Sequence, residues 1–220
     1  MACMRIAVFG ATGRTGRPLV DRALDRGHEV VAFVRNPADL PSAVRDDDRV
    51  SVIEGDAYGG DGVDRAIGGD DPVDAVVSVL GRSSESPDDL LTEAGRHVLA
   101  AMDRHGVERL VTLVGAGVRE EGESVSLGGK VMGSLLKLLA RSTLEDAVDH
   151  VESVRASDAR WTVVRGPRLT DGPHTGDFRH GTGLALGVRD AAARANVAEF
   201  VLDCLEQDLY VHEMPKVADT

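Results

Sequence analysis

The chain has 220 residues, 42% of them hydrophobic, with two cysteines and a formal net charge of −12. That length suits one α/β domain with a sizeable core, and no apolar run approaches the ~18 residues of a membrane span. Cys3 and Cys204 are too few for a disulfide framework, no His/Cys cluster has metal-ligand spacing, and the acidity repels nucleic acid phosphates. The expected partners therefore exclude metals, membranes and nucleic acid.

The first stretch with a clear pattern is Ile6 to Phe9, whose apolar, β-branched content predicts a buried strand. It ends in Gly10-Ala11-Thr12-Gly13-Arg14-Thr15-Gly16, after which Leu19, Val20, Ala23 and Leu24 take helical spacing over 15–26, closed by Gly27. A strand that feeds a glycine-rich turn and then a helix is a pyrophosphate cradle. Glycines let the backbone approach the phosphates, and the free N–H groups of the helix N-terminus face the negative charge. Strands follow at 29–34, 50–53, 73–80, 109–114 and 161–165. Between them lie a charged loop (Asp46 to Asp48), a brief helix around Val63, Ala66 and Ile67, and a long helix opened by Pro87 and ended at His105-Gly106. Residues 124–129 read as small and flexible, 131–139 and 144–157 as amphipathic helices, and 166–183 as a loop over the crevice. A last helix spans 197–205.

Alternating strands and helices imply βαβ units in a doubly wound parallel sheet, a Rossmann-type α/β fold with a small C-terminal substrate region. Ligands of such sheets lie beyond the carboxyl ends of the strands. That rule gathers Gly10 to Gly16, Arg35, Asp56, Leu80, Gly81 and Gly115 at one crevice. NAD-binding sites carry an acid at the end of the second strand, about twenty residues beyond the glycines. Here Arg35-Asn36 stands in its place, and Arg14 lies within the glycine turn. A guanidinium pairs bidentately with the 2′-phosphate, so the cofactor expected is NADP(H) in preference to NAD(H). The alternative reading of Arg35 is a solvated residue at a strand end.

The glycine turn, the Val34-Arg35-Asn36-Pro37 strand end, Gly55-Asp56, Leu80-Gly81, Trp161 to Pro167 and Asn196 to Phe200 together resemble the atypical short-chain dehydrogenase/reductases. Within these, the chain is most similar to the NmrA-like and biliverdin-IXβ (flavin) reductase-like NAD(P)H-binding proteins. The resemblance implies one NAD(P)-binding Rossmann-like domain over 1–220, with the cofactor part at about 4–118 and substrate-side elements at about 119–220. It implies cofactor contacts from Gly10, Thr12, Gly13, Arg14, Thr15, Gly16, Arg35, Asp56, Ala57, Leu80, Gly81, Gly115 and Pro167.

The chain also departs from that pattern. Most short-chain dehydrogenases use Tyr-x-x-x-Lys, yet Gly62 and Met214 lie four residues beyond Tyr58 and Tyr210. Gly115 and Arg168 stand where the flavin reductase-like proteins carry serine and histidine. The candidate catalytic residues are therefore Arg168, weighed against a salt bridge to Asp171, and His174, weighed against a solvated loop histidine. Ser83 and Ser84 are candidates for substrate contact. An NADP(H)-dependent oxidoreductase is the leading reading, acting on a small planar or carbonyl acceptor. The alternatives are a non-catalytic NADP(H) sensor of NmrA type and, third, a nucleotide-sugar epimerase-like enzyme.

Lysine occurs only at 130, 137 and 216, and aspartate outnumbers glutamate. That balance is similar to proteins of salt-loving organisms, and equally to products of a GC-rich genome. The start runs straight into a strand and leaves no room for a signal peptide, so a cytoplasmic location is expected. The sequence leaves the oligomeric state and the substrate open.

Overall fold

A computed structural model of the chain describes residues 3–69, 71–120 and 141–220. Strands β1 (Arg5–Phe9), β2 (Glu29–Val34), β3 (Val50–Glu54), β4 (Ala75–Ser78), β5 (Arg109–Gly115) and β6 (Arg160–Gly166) all run parallel. Their order is β3-β2-β1-β4-β5-β6, the doubly wound arrangement, and the sheet continues through β10 (Lys216–Asp219) to β8 (Phe178–Gly181). β10 is parallel to β6, and β8 is antiparallel to β10. A separate pair joins β7 (Arg168–Thr170) to β9 (Ala191–Ala193).

Both faces of the sheet are covered, so the central strands are apolar throughout rather than alternating. In β1, Ile6 and Val8 face one core while Ala7 and Phe9 face the other. The first core packs under α1 (Gly16–Asp25) and α6 (Arg194–Glu206), through Leu19, Val20, Val197 and Phe200. The second packs under α3 (Val63–Ile67), α4 (Leu90–His105) and α5 (Arg141–Arg155), through Ile67, Val98, Met102, Val151 and Val154. A short α2 (Ser42–Arg45) follows a single 3-10 turn at Pro37–Asp39, which Asn36 caps by accepting from the Ala38 N–H at 3.1 Å. Each fully buried leucine or phenylalanine contributes on the order of 2 kcal/mol by leaving water.

Polar groups inside this frame set the angles between its helices. Asp89 at the start of α4 makes no side-chain cap. The buried Asp146 of α5 does so instead, accepting from the N–H groups of Leu91 (3.0 Å) and Thr92 (2.9 Å) and from the Thr92 hydroxyl (2.8 Å). One helical turn on, His150 is 4% exposed and meets the Thr112 hydroxyl of β5 at 3.0 Å. Burial pushes its pKa down to about 4, from the 6.5 of an exposed histidine. Between those values the unfolded chain binds a proton that the folded chain refuses. Stability is therefore expected to fall as pH drops from about 6.5 to 4, with His150 supplying on the order of 3 kcal/mol of the loss. Urea denaturation at pH 7 and pH 4.5 checks this. His150→Gln, which keeps an acceptor for Thr112 without titrating, is expected to show a smaller loss than the parent. Equal losses would assign the acid sensitivity elsewhere.

Three expectations from the sequence need correction. Residues 166–183 are not one loop, because they contain β7 and β8. The strand β10 was not anticipated at all. The long helix begins at Leu90 rather than at Pro87. The expectations for 124–129 and 131–139 lie outside the described residues. The chain reaches β10 through a turn in which Asp208, Tyr210 and His212 all hold positive φ (51°, 55° and 61°). Such residues are strained by about 1 kcal/mol each or more. The Leu209 and Tyr210 carbonyls in that turn both accept from the buried Thr162 hydroxyl, at 3.1 and 3.0 Å. The turn delivers Lys216 to the sheet beside Arg165.

Candidate functional site

The turn after β1 is built so that side chains are sterically excluded from two of its glycines. Gly10 has φ +92°, and a Cβ there would sit 3.0 Å from the Val79 carbonyl. At Gly16 a Cβ would lie 2.8 Å from Ala11 Cα and closer still to the Gly10 carbonyl oxygen. The Gly13 N–H closes the turn on the Gly10 carbonyl at 2.9 Å. Thr15, at the N-cap position of α1, makes no side-chain cap, and the N–H groups of Arg14, Thr15 and Gly16 find no acceptor among the described residues. Three unpaired donors at a helix N-terminus form a site for an anion. The Thr12 carbonyl is engaged from the other side by Arg17 Nε (3.1 Å), whose Nη2 reaches the Asp39 carbonyl at 3.3 Å.

Arg35 follows the last residue of β2, exposed, and its guanidinium makes no ion pair among the described residues. Asp56, also exposed, accepts from the Tyr58 N–H at 3.1 Å, while the Ala57 side chain is buried in the second core. Neither these three residues nor Gly10, Thr12 and Gly16 are among the residues that line the cleft at the sheet's carboxyl end.

The cleft itself has a volume of about 900 Å³ and lies at the carboxyl ends of β1, β4, β5 and β6. Of the residues singled out by sequence, Gly13, Arg14, Thr15, Leu80, Gly81, Gly115, Pro167 and Arg168 all line it. Much of its wall is apolar: Val79, Leu91, Leu113, Val118, Leu144, Ala147, Leu169, Leu186 and Val188. A Cβ added at Gly81 or Gly115 meets nothing within 4 Å, so their missing side chains leave open floor rather than relieve a clash.

Two expectations from the sequence are corrected by this geometry. His174 does not line the cleft. It lies 3.6 Å from Glu199 of α6, which also pairs with Arg22 of α1 at 2.7 Å, so it belongs to the seam between those helices. The Arg168–Asp171 salt bridge is replaced by two others, since Asp171 binds Arg194 (2.6 Å) and Arg14 (3.6 Å). Arg168 is exposed and makes no ion pair among the described residues. Ser83 is held in a local turn by Ser86, with their hydroxyls 3.0 Å apart.

Sequence reasoning missed three parts of the lining. Arg82 joins the loop after β4 to α5, donating to Ser142 (3.3 Å), Thr143 (3.2 Å) and Asp88. The guanidinium beside it holds the Asp88 carboxyl below the usual range. The apolar segment from Ala185 to Val188 covers one side of the cleft. Lys216, only 8% exposed, lines the cleft and donates to the Leu184 carbonyl at 3.1 Å, holding that segment in place. Its signal in the sequence was rarity, as one of three lysines in the chain. Arg165, 0% exposed, lies below the cleft and donates to the carbonyls of Met214 (2.9 Å) and Val118 (3.1 Å), fixing the segment that follows β5. Cys204 plays no part, since it is buried in the first core, where desolvation pushes its thiol up to about 12.

Among the described residues no helix is long and apolar enough to cross a membrane. The chain is 34% identical over 114 residues to the YwnB protein of Bacillus subtilis strain 168, covering 52% of this chain and 48% of that relative. It is 31% identical over 202 residues to a 3-diazoavenalumate denitrifying reductase from a Streptomyces species, covering 84% of this chain and 62% of that one. The chain thus spans about half to two thirds of the length of these relatives. Its fold matches a wide-type short-chain dehydrogenase/reductase from Veillonella parvula solved with NADP, at TM-score 0.81 and 18% identity, over 99% and 95% of the two chains. The sequence profile of the NAD(P)H-binding family spans residues 10–208, and the chain belongs to that family.

Proposed function

We propose that the chain is an NADP(H)-dependent reductase that passes a hydride to a small planar or carbonyl acceptor of the flavin or quinone kind. The observation that carries this reading is the course of the cleft. It starts at the unpaired N–H groups of Arg14 and Thr15 and continues past Gly81 and Gly115 into an apolar chamber. That sequence of surfaces suits a pyrophosphate, then a flat ring, then an apolar partner stacked on it.

In this reading Gly10, Thr12, Gly13, Thr15 and Gly16 hold the pyrophosphate, while Arg35 and Arg14 meet the 2′-phosphate. Asp56 and Ala57 flank the adenine, and Leu80, Gly81, Gly115 and Pro167 surround the nicotinamide. NADPH supplies the hydride when bound. The chain's own work is to hold donor and acceptor in contact and to keep bulk water off the reacting faces. The acceptor gains a hydride and a proton. Among the described lining residues there is no tyrosine, histidine or cysteine, so the proton comes from solvent. Arg168 stands at the cleft to stabilise an oxyanion that develops on the acceptor. The Streptomyces relative is itself a reductase, in line with this reading.

The missing Tyr-x-x-x-Lys pair, with Gly115 and Arg168 in place of serine and histidine, favours a second reading, a non-catalytic NADP(H) sensor of NmrA type. Following NADPH oxidation with a panel of flavins, quinones and carbonyl compounds separates the two. Turnover with any acceptor supports the reductase. NADPH binding without turnover across the whole panel overturns it in favour of the sensor.

A further inference from the structure

One residue of the glycine turn reaches across to the C-terminal half of the chain. Arg14 Nη1 lies 3.6 Å from Asp171 Oδ2, and Asp171 is the one carboxylate that Arg14 meets among the described residues. The other oxygen of Asp171 accepts from Arg194 Nη1 at 2.6 Å. A single carboxylate thus stands between two cations, and both of those cations line the cleft.

The position of Asp171 is built into the fold. It follows directly on β7, and the loop that continues from it is pinned to α6. Asn196, 0% exposed, accepts from the Thr175 and Gly176 N–H groups and donates to the Thr175 hydroxyl (2.9 Å) and to Asp219 (2.8 Å). The second Asp219 oxygen accepts from the Ala193 N–H at 2.8 Å, just ahead of Arg194. The two cations on Asp171 are not held alike. The Arg194 side chain is 12% exposed and within hydrogen-bond distance, whereas that of Arg14 is 74% exposed and beyond it. An ion pair between exposed groups shifts an equilibrium by no more than about fivefold. A phosphate seated on the unpaired N–H groups of Arg14 and Thr15 has the stronger hold on the Arg14 guanidinium.

We propose that Asp171 is a positioning residue of the cofactor site: it holds Arg14 before the dinucleotide binds, yields it to a phosphate of the dinucleotide, and stays on Arg194. The pyrophosphate and the 2′-phosphate share the chemistry that takes Arg14, and the two cofactors tell them apart. Asp171 therefore competes with the ligand for Arg14 and loosens its binding. This rests on reading the glycine turn as the cradle of the dinucleotide's phosphates. It adds that the residue following β7 sets how tightly the cofactor is held.

The test is calorimetric titration of NADP⁺ and of NAD⁺ into the full chain, Asp171→Asn, Arg14→Gln and the double variant. Asparagine keeps an acceptor for Arg194 while removing the charge, and both substituted residues are exposed, so the core is untouched. Asp171→Asn is expected to bind about three- to fivefold tighter than the parent, a gain that loss of a merely structural tie does not give. In the Arg14→Gln background the same change is expected to leave affinity within error of unchanged. A gain for both cofactors supports the proposal with the pyrophosphate as the partner of Arg14, and a gain for NADP⁺ alone supports it with the 2′-phosphate. Unchanged or weaker binding of both cofactors by Asp171→Asn would overturn it. So would an equal gain with and without Arg14, which is what a carboxylate acting only through its long-range field gives. A parent chain that binds neither dinucleotide removes the cradle reading and this inference with it; a parent that binds, with Asp171→Asn no tighter, removes this inference alone.

Discussion

Gly16→Ala is expected to destabilise the fold by about 3 kcal/mol or more and to lower NADPH affinity by at least 100-fold. The cause is steric and lies wholly in the backbone. The added Cβ would meet Ala11 Cα at 2.8 Å and the Gly10 carbonyl oxygen closer still, so no side chain is available to rotate away. Relief requires α1 to move off the turn, which separates the N–H groups of Arg14, Thr15 and Gly16. Gly115→Ala is the matched control. Its Cβ meets nothing within 4 Å, so denaturant stability is expected to stay within about 0.5 kcal/mol of the parent. A Gly16→Ala chain of parental stability would mean that the turn adapts, and that its glycines are not a steric requirement.

The second large effect is expected at Arg35. On the proposed reading, Arg35→Asp exchanges a partner of the 2′-phosphate for a like charge, at a site where an acid instead suits the ribose hydroxyls of NAD. NADPH affinity is expected to drop by about 100-fold or more, while NADH affinity stays equal or improves. Because Arg35 is exposed and makes no ion pair among the described residues, its removal strands no partner in the protein. Calorimetric titration with both cofactors reads the result. An equal loss for NADPH and NADH would remove the argument for NADP, and Arg35 would then be a solvated residue at the end of a strand.

The N-terminal half of the molecule was legible because its signals are local. Ile6 to Phe9, the three glycines and the Leu19–Val20–Ala23–Leu24 stripe lie within twenty residues, and their order alone implies a strand, a turn and a helix. The C-terminal half was not, because its structure is set by pairing between distant segments. β7 has three residues and exists by pairing with β9, while β8 exists by pairing with β10. No three- or four-residue stretch among glycines, prolines and histidines carries a readable period. The same cause misplaced His174. Its loop position suggested the crevice, but Asn196 accepts from the Thr175 and Gly176 N–H groups (3.0 and 3.2 Å) and holds that loop against α6. Lys216 and the segment from Ala185 to Val188 reach the cleft only through the β10 pairing. Arg14 was legible as a cation in the glycine turn, whereas its link to Asp171 needed the fold.

The most direct test of the reductase reading is single-turnover oxidation of NADPH by an acceptor that is turned over, with deuterium placed at one or the other C4 position of the nicotinamide. A ring held against one wall of the cleft presents a single C4 hydrogen to the acceptor. The account therefore predicts that deuterium slows oxidation in one of the two labelled cofactors and leaves the other at the unlabelled rate. Oxidation insensitive to label at both positions, or no oxidation with any acceptor, would contradict it.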